Sequence, residues 1–429
     1  MSQASIAYMD SYSWLGSRLG LERIRELMER MGNPQDKLRF VHLAGTNGKG
    51  STACFLASML QAAGYRTGLY TSPFIHTFYE RMQVDGVPIP DEALDRVVDQ
   101  VRLHADAMED HPTTFELVTA AAFAWFYEAG CDIVVLETGM GGGLDATNVI
   151  STPEVTVITP IDMDHMEYLG DTVAKIASAK AGIIKAKVPV ISARQRPEAL
   201  AVLQEVARDL DAPFVEVDLS RLQPGDFSLH GQTFAFGDLA GLSIRLLGRY
   251  QMENAALALT ALDALAERGF PVSVTAKREG LATANWPGRF ELAATSPAVI
   301  VDGGHNAQGA AALADNLRRY FPGKQVVFVM GVLADKDLDA IVAPILPLAR
   351  CFYTITPGSD RATAAGALAQ FLSGLGAHAE PIGSVAEALT LAREAAGADG
   401  VVCYFGSLYS VSEAREALGL WVPVGEVVV

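Results

Sequence analysis

A chain of 429 residues, half of them hydrophobic and 19% charged, has a globular composition and is long enough for two or three domains, each with its own core. Its formal net charge of −17 argues against nucleic acid, whose phosphate backbone demands a basic face. That charge still leaves room for a local basic pocket that holds a small anion.

Short apolar runs alternate with helical patterns along the first half. Phe40–Leu43 leads into the glycine-rich stretch Gly45-Thr46-Asn47-Gly48-Lys49-Gly50-Ser51, and a helix is expected from Ser51 to Ala63, stopped by Gly64. Arg66–Tyr70 leads into Thr71-Ser72-Pro73, Ile133–Leu136 into Glu137 and a glycine cluster, and Val155–Thr159 towards Asp162, Asp164 and His165. Val188–Ser192 closes the series, which predicts a parallel sheet covered on both faces. Residues 214–247 read as short strands with turns at Gln223-Pro224-Gly225 and His230-Gly231, a β excursion within the first domain. After Trp286-Pro287-Gly288-Arg289 a second, smaller α/β series begins. Its strands are expected at Ala298–Val301, Gln325–Val329, Cys351–Ile355 and Val401–Phe405, with helices over Gln308–Arg319, Leu338–Leu348 and Val385–Ala395. The division predicted is 1–286 and 287–429.

Cys54, Cys131, Cys351 and Cys403 form no C-x-x-C pair, so neither a disulfide framework nor a zinc site is expected, and three of them lie in apolar runs that suit core thiols. No basic segment followed by an apolar one opens the chain. The longest uncharged run, 362–379, is broken by three glycines and polar residues, so it is not expected to span a membrane. The protein is expected in the cytoplasm.

The glycine stretch departs from the phosphate-loop pattern G-x-x-x-x-G-K-[ST]. Its first glycine lies only three residues before Gly48, and Gly50 stands where a Mg²⁺-binding hydroxyl is usual. A loop between a strand and a helix still aims backbone N–H groups and the positive helix end at phosphates, with Lys49 as a point charge for the β and γ oxygens. The missing metal donor is expected at the neighbouring strand ends, where Ser72, Glu137 and His165 offer a hydroxyl, a carboxylate and an imidazole. Taken singly, each has a plainer reading: a cap, a solvated acid and a core histidine. Lys180 lies among small apolar residues, in Ala177-Ser178-Ala179-Lys180-Ala181-Gly182. There a lysine either pairs with a buried acid, the preferred reading of the residues alone, or loses its proton and can add CO₂ to become an anionic carbamate.

These stretches occur in an ordered combination that resembles the folylpolyglutamate synthase and dihydrofolate synthase family, relatives of the Mur peptidoglycan ligases. The resemblance runs almost end to end. It includes Leu19–Arg23, the 44–51 loop, Thr71–Pro73, Glu80-Arg81, Phe115-Glu116, Leu136–Val149, Ile158–His165, Lys180–Lys185, Gly248 through Gln251 to Asn254, Trp286–Arg289, Asp302–Asn306, Asp335–Asp337 and Gly406–Tyr409. It implies a P-loop ATPase-type domain with a mainly parallel sheet, followed by a Rossmann-like glutamate ligase domain. It also implies an ATP-dependent amide ligase that adds L-glutamate to dihydropteroate, to reduced folates or to both, through an acyl phosphate.

On that resemblance Thr46, Asn47, Gly48, Lys49, Gly50 and Ser51 would contact ATP, with Asn254, and with Arg289 and Asp302 from the second domain. Ser72, Glu137 and His165 would hold two Mg²⁺ ions together with a carboxylated Lys180, which reverses the ion-pair reading. Lys49, Lys180 and His305 would be catalytic, and His305, Ser407 and Tyr409 would bind glutamate. Ser11, Tyr12, Trp14, Thr114, Phe115, Glu116, Leu144, Asp145 and Ala146 would form the folate side. Small-molecule partners and a monomer are expected. Three departures bear on substrate detail: Gly143 replaces a usual Arg, Ala179 replaces the usual acid before the lysine, and Phe74-Ile75 stands where a His is common.

A Mur-type ligase for a nucleotide-linked muramyl substrate is the nearest alternative, but it would need a further N-terminal domain for which the residues before Gly45 are too few. A P-loop nucleotide switch would explain the loop but not Glu137, His165 and Lys180 together.

Overall fold

The computed structural model describes residues 2–421, which fall into two compact units. The first comprises 1–224, 234–243 and 251–284, and the second 225–233, 244–250 and 285–429.

In the first unit the strands are β1 (Phe40–Ala44), β2 (Thr67–Tyr70), β3 (Met82–Val84), β4 (Val87–Pro88), β5 (Ile133–Glu137), β6 (Val155–Ile158), β7 (Val190–Ser192) and β8 (Phe214–Glu216). They form one sheet in the order β4-β3-β2-β5-β1-β6-β7-β8. From β2 to β8 every pairing is parallel, and β3 and β4 extend the edge as an antiparallel hairpin around Asp85-Gly86. β1, β2, β5 and β6 are buried throughout, as parallel strands covered on both faces must be. Burial on β5 runs through to Glu137, which lies opposite Leu43 of β1. β5 therefore sits directly between the strand that feeds the glycine loop and the strand that feeds Ser72. One core cluster gathers Leu27, Leu94, Phe123 and Leu136, and another gathers Ile158, Ile176, Val190 and Leu203. No helix among the described residues is long and apolar enough to cross a membrane.

The excursion forms a three-stranded sheet of β9 (Leu222–Ser228), β10 (Gly231–Phe236) and β11 (Leu239–Ile244), in the order β11-β10-β9. The expectation that it belongs wholly to the first domain needs correction, because 225–233 and 244–250 group with the second unit. The cause is local packing. Gln232 donates from Nε2 to the carbonyls of Leu246 (2.8 Å) and Gly248 (2.7 Å), and Gly248 N–H donates to the Tyr320 hydroxyl. Phe227 and Phe290 each meet the Tyr320 ring, with centroids 5.3 and 5.4 Å away.

The second unit contains β12 (Glu291–Thr295), β13 (Ala298–Asp302), β14 (Val326–Met330), β15 (Ala349–Thr354), β16 (Ala379–Pro381) and β17 (Val401–Phe405). The order is β12-β13-β17-β14-β15-β16, with only the edge strand β12 antiparallel. Phe290, Phe328, Phe352 and Phe405 anchor its core. The helix expected over Leu338–Leu348 is shorter than predicted. It runs Leu338–Val342, and a single 3₁₀ turn follows at Leu346–Leu348. Pro344 and Pro347 explain the break, since neither has an N–H to continue the helical hydrogen-bond ladder. Cys54 and Cys403 are buried, whereas Cys131 and Cys351 are only half-buried.

Candidate functional site

The glycine loop joins β1 to the helix Lys49–Ala62 and is fastened from three sides. Thr46 N–H donates to the Pro160 carbonyl at 2.9 Å. The Thr46 hydroxyl donates to Asp162 O at 3.0 Å and accepts from Asp162 N at 3.1 Å. A Cβ on Gly45 would stand 1.8 Å from Thr159 Oγ1, so the loop passes β6 at a distance only glycine allows. Gly48 caps the helix with φ +87°, and a Cβ there would meet Asn254 Oδ1 at 2.7 Å. Asn254 donates to Gln251 Oε1 (3.0 Å), and Gln251 in turn donates to Ser51 Oγ (3.2 Å). The two amides sit three apart on one helix face and buttress the loop from behind.

Lys49 folds back over its own loop, with Nζ 3.2 Å from Gly45 O, 3.3 Å from Thr46 O and 3.9 Å from Glu137 Oε1. Glu137 is 4% exposed, and Ser72 N–H approaches its Oε2 at 3.4 Å. Lys180, on the helix Val173–Ala181, donates from Nζ to Gly45 O at 2.7 Å. Burial, and secondly the Lys49 charge, push its pKa down to about 7, against the opposing pull of Asp164 and Asp145. The structure thus brings Lys49, Glu137, Ser72 and Lys180 to one end of the sheet. His165 stands further out, its ring 3.8 Å from Asp164 Oδ2 and its side chain 40% exposed. It holds a left-handed backbone (φ +49°) as it caps the short helix Met166–Leu169.

Among the described residues no three His, Cys, Asp or Glu side chains form a ready-made metal cage. Mg²⁺ takes one or two carboxylates and fills its remaining positions with water and phosphate oxygens. A buried carboxylate beside a serine at a strand end, facing a phosphate-type loop, fits such an ion.

After Glu137 the chain turns through the glycine cluster. A Cβ on Gly139 would meet Phe115 Cζ at 2.4 Å, so the Phe115 ring lies on that peptide. Gly142 and Gly143 rest on the helix that carries Lys180. Gly143 N–H donates to Ala179 O at 2.8 Å, and a Cβ on Gly182 would stand 2.3 Å from Gly143 Cα. The departures at Gly143 and Ala179 therefore meet in one backbone contact. Asp145 is buried and accepts from Met140 N (2.8 Å), Thr147 N (3.0 Å) and Thr147 Oγ1 (2.6 Å). Burial raises its pKa against those donors. Ala146 is buried behind it and Leu144 is exposed.

The remaining folate-side residues divide. Tyr12 stacks on His111 with centroids 3.6 Å apart, Ser11 donates to Tyr8 O, and Trp14 is 77% exposed. Thr114 donates to Met9 O, which ties the N-terminal helix Ser2–Asp10 to the helix Thr114–Glu128. Glu116 faces inward instead. Its Oε2 accepts from Arg23 Nε (3.0 Å), Thr113 N (2.7 Å) and Thr113 Oγ1 (2.9 Å), which completes a capping box.

In the second unit Asp302 and the 406–409 turn leave adjacent strand ends, since Asp302 lies opposite Phe405. Asp302 accepts from Phe290 N (3.0 Å) and Gly304 N (2.6 Å), and burial raises its pKa against the nearby Arg289 charge. A Cβ on Gly303 would meet Arg289 Nη1 at 2.9 Å, so that guanidinium lies across the Gly303 turn. His305 Nδ1 is 3.0 Å from Gly303 O. Ser407 Oγ accepts from Tyr409 N, and the half-exposed Tyr409 hydroxyl accepts from Arg361.

The sequence assigns no role to His42, Thr147 or Thr159, and it names Gln251 only within the 248–254 stretch. The i,i+3 spacing of Gln251 and Asn254 was a usable signal for one of them. The other three sit in runs that read as ordinary strand or turn.

Residues 43–262 match the family model of the Mur ligase middle domain, and residues 288–408 that of the Mur ligase glutamate ligase domain. The chain is 38% identical over 434 aligned residues to the dihydrofolate synthase/folylpolyglutamate synthase of Bacillus subtilis (strain 168), covering 96% of this chain and 99% of that protein. Crystal structures of Mycobacterium tuberculosis folylpolyglutamate synthase complexed with ADP and AMPPCP superpose with a TM-score of 0.88 at 32% identity, covering 98% of this chain and 99% of theirs. E. coli FolC in complex with DHPP and ADP superposes with a TM-score of 0.86 at 31% identity, with 98% of each chain covered.

Proposed function

The chain belongs to the folylpolyglutamate synthase/dihydrofolate synthase family of Mur-type ligases, and from that premise we propose which of its residues carry each part of the reaction. The activity is ATP-dependent formation of a C–N bond between L-glutamate and the carboxylate of dihydropteroate, of a reduced folate or of both. The carboxylate attacks the γ-phosphoryl group of ATP, ADP leaves, and the amine of glutamate displaces phosphate from the resulting acyl phosphate. The observation that carries the residue assignment is the meeting of Lys49, Glu137, Ser72 and Lys180 at the mouth of the glycine loop.

The loop 46–51 binds the phosphates of ATP through backbone N–H groups and the helix end, and Asn254 keeps Gly48 in place. Lys49 releases its loop carbonyls to meet phosphoryl oxygens, where it offsets charge that grows during transfer. Ser72, Glu137 and His165 hold Mg²⁺, which supplies further neutralisation of phosphate charge when bound. Arg289 and Asp302 serve ATP use, and His305, Ser407 and Tyr409 serve glutamate. Phe115, Asp145 and the Tyr12–Trp14 segment receive the pterin side.

Lys180 acts as its carbamate. Burial next to Lys49 disfavours a second ammonium and favours the neutral amine that adds CO₂. A carbamate keeps one N–H for Gly45 O and sets an anion, rather than a cation, beside Lys49.

The test is purified protein with ATP, Mg²⁺ and labelled glutamate, offered dihydropteroate and tetrahydrofolate separately. ADP release and label incorporation should both require a folate-type acceptor. Steady ADP release without either acceptor would point to a nucleotide switch instead.

A further inference from the structure

His42, in the middle of β1, is fully buried, yet it is polar and lies outside the cluster just described. Its Nε2 is 2.9 Å from Thr147 Oγ1. Thr147 spends its only hydroxyl proton on Asp145 Oδ1, at 2.6 Å. The ring must therefore donate to Thr147, which fixes the tautomer with the proton on Nε2. The same assignment leaves Nδ1 as a bare lone pair, and Nδ1 has no hydrogen-bond partner among the described residues. A histidine so placed is a one-way donor into Thr147.

We infer that His42 is a positioning residue for the folate substrate, holding the Asp145 carboxylate in one rotation through the Thr147 hydroxyl. Asp145 closes the glycine turn on itself by accepting from Met140 N, and that turn carries Gly139, against which Phe115 lies. Without the donor behind it, Thr147 can turn its proton elsewhere, and the carboxylate loses a short bond that fixes its plane. The effect is expected on the pterin side rather than the phosphate loop, because the relay's hydrogen bonds run from His42 through Thr147 and Asp145 to Met140 and not to residues 45–51. The inference rests on the reading of Asp145 as a folate contact.

The experiment compares His42→Leu, His42→Gln, Thr147→Val, the His42→Leu/Thr147→Val double variant and Asp145→Asn. KM for the folate acceptor and KM for ATP are each measured by ADP release. His42→Leu and Thr147→Val should each raise the folate KM about tenfold, the scale of one hydrogen bond to a charged group, with the ATP KM within about twofold. The double variant should be no worse than either single one, because both break one relay. Gln keeps an N–H donor at the Nε2 position and should restore the folate KM to within about threefold. Multiplying losses in the double variant, or a parallel rise in both KM values with a lowered Tm, would reduce His42 to a core residue. If His42→Leu does not fold, Thr147→Val decides alone, and an unchanged folate KM there overturns the relay. Asp145→Asn with an unchanged folate KM would instead defeat the underlying assignment of the pterin side. A raised KM there with silent His42 and Thr147 variants would defeat the relay alone.

Discussion

Lys180 Nζ and the Gly45 carbonyl, 135 residues apart in sequence, form a 2.7 Å hydrogen bond inside a phosphate-type loop. An amine in that position either adds a second positive charge beside Lys49 or gives its charge up, and burial pushes it towards the second course. Lys180→Ala should therefore lose nearly all ligase activity, and acetate or formate should restore part of it by occupying the vacated anionic position. Lys180→Arg, with its fixed positive charge, should be as inactive as Ala. Steady-state rates with and without the short acids check this, and an active Arg variant would return the residue to a simple ion pair.

Glu137→Gln keeps the shape of the β5 end and removes a buried negative charge 3.9 Å from Lys49. Turnover should fall by at least about a hundredfold, the scale of a lost charge-stabilising group in phosphoryl transfer, with an unchanged circular dichroism spectrum. His165→Ala should be milder, since its side chain is partly exposed, and raising Mg²⁺ should recover some activity. A Mg²⁺ titration of both variants separates a coordinating role from a structural one.

Gly48→Ala places a Cβ 2.7 Å from Asn254 Oδ1 at a residue with φ +87°. The strain should displace the loop and its amide buttress together. Nucleotide affinity, followed by calorimetry with ADP, should weaken by roughly tenfold or more, while stability falls by only about 1–2 kcal/mol.

His42 supplies a pH signature. Burial, with the nearby Lys185 charge as a smaller cause, pushes its pKa down from about 6.5 to about 3. Between those values the unfolded chain binds a proton that the native chain does not. Stability from this residue is full above pH 6.5 and is lost as pH falls through the window, by up to about 1.4 kcal/mol per pH unit. Denaturant unfolding at pH 7, 6 and 5 should show wild type losing roughly 1–2 kcal/mol more than His42→Gln. Equal pH slopes in the two proteins would mean that the imidazole reaches solvent.

Much of the architecture was legible because buried parallel strands leave a strong mark: FVHL, IVVL and VTVI are short apolar runs, each ending where chemistry-bearing residues begin. The same rule located Glu137 and Ser72 at neighbouring strand ends. The strands β3, β4 and β16 were not read, since two to three residues at a sheet margin carry no period. The excursion read over 214–247 was assigned to one domain because chain order cannot reveal that Gln232 and Gly248 pack around Tyr320, some seventy to ninety residues later. Glu116 is placed on the folate side by the resemblance, and in the structure it turns inward. Its inward turn follows from Arg23, a partner 93 residues away that no local pattern announces.

Gly142, Gly143 and Gly182 meet main chain to main chain, between the turn that follows Glu137 and the helix that carries Lys180. The spacing of the two segments that carry the carboxylate and the amine is thus set by contacts between backbone atoms. Substitutions that drift into the surrounding core can retune stability without separating these two segments. A methyl group at Gly182 would wedge them apart, so the centre inherits its dimensions from three residues that carry no chemistry of their own.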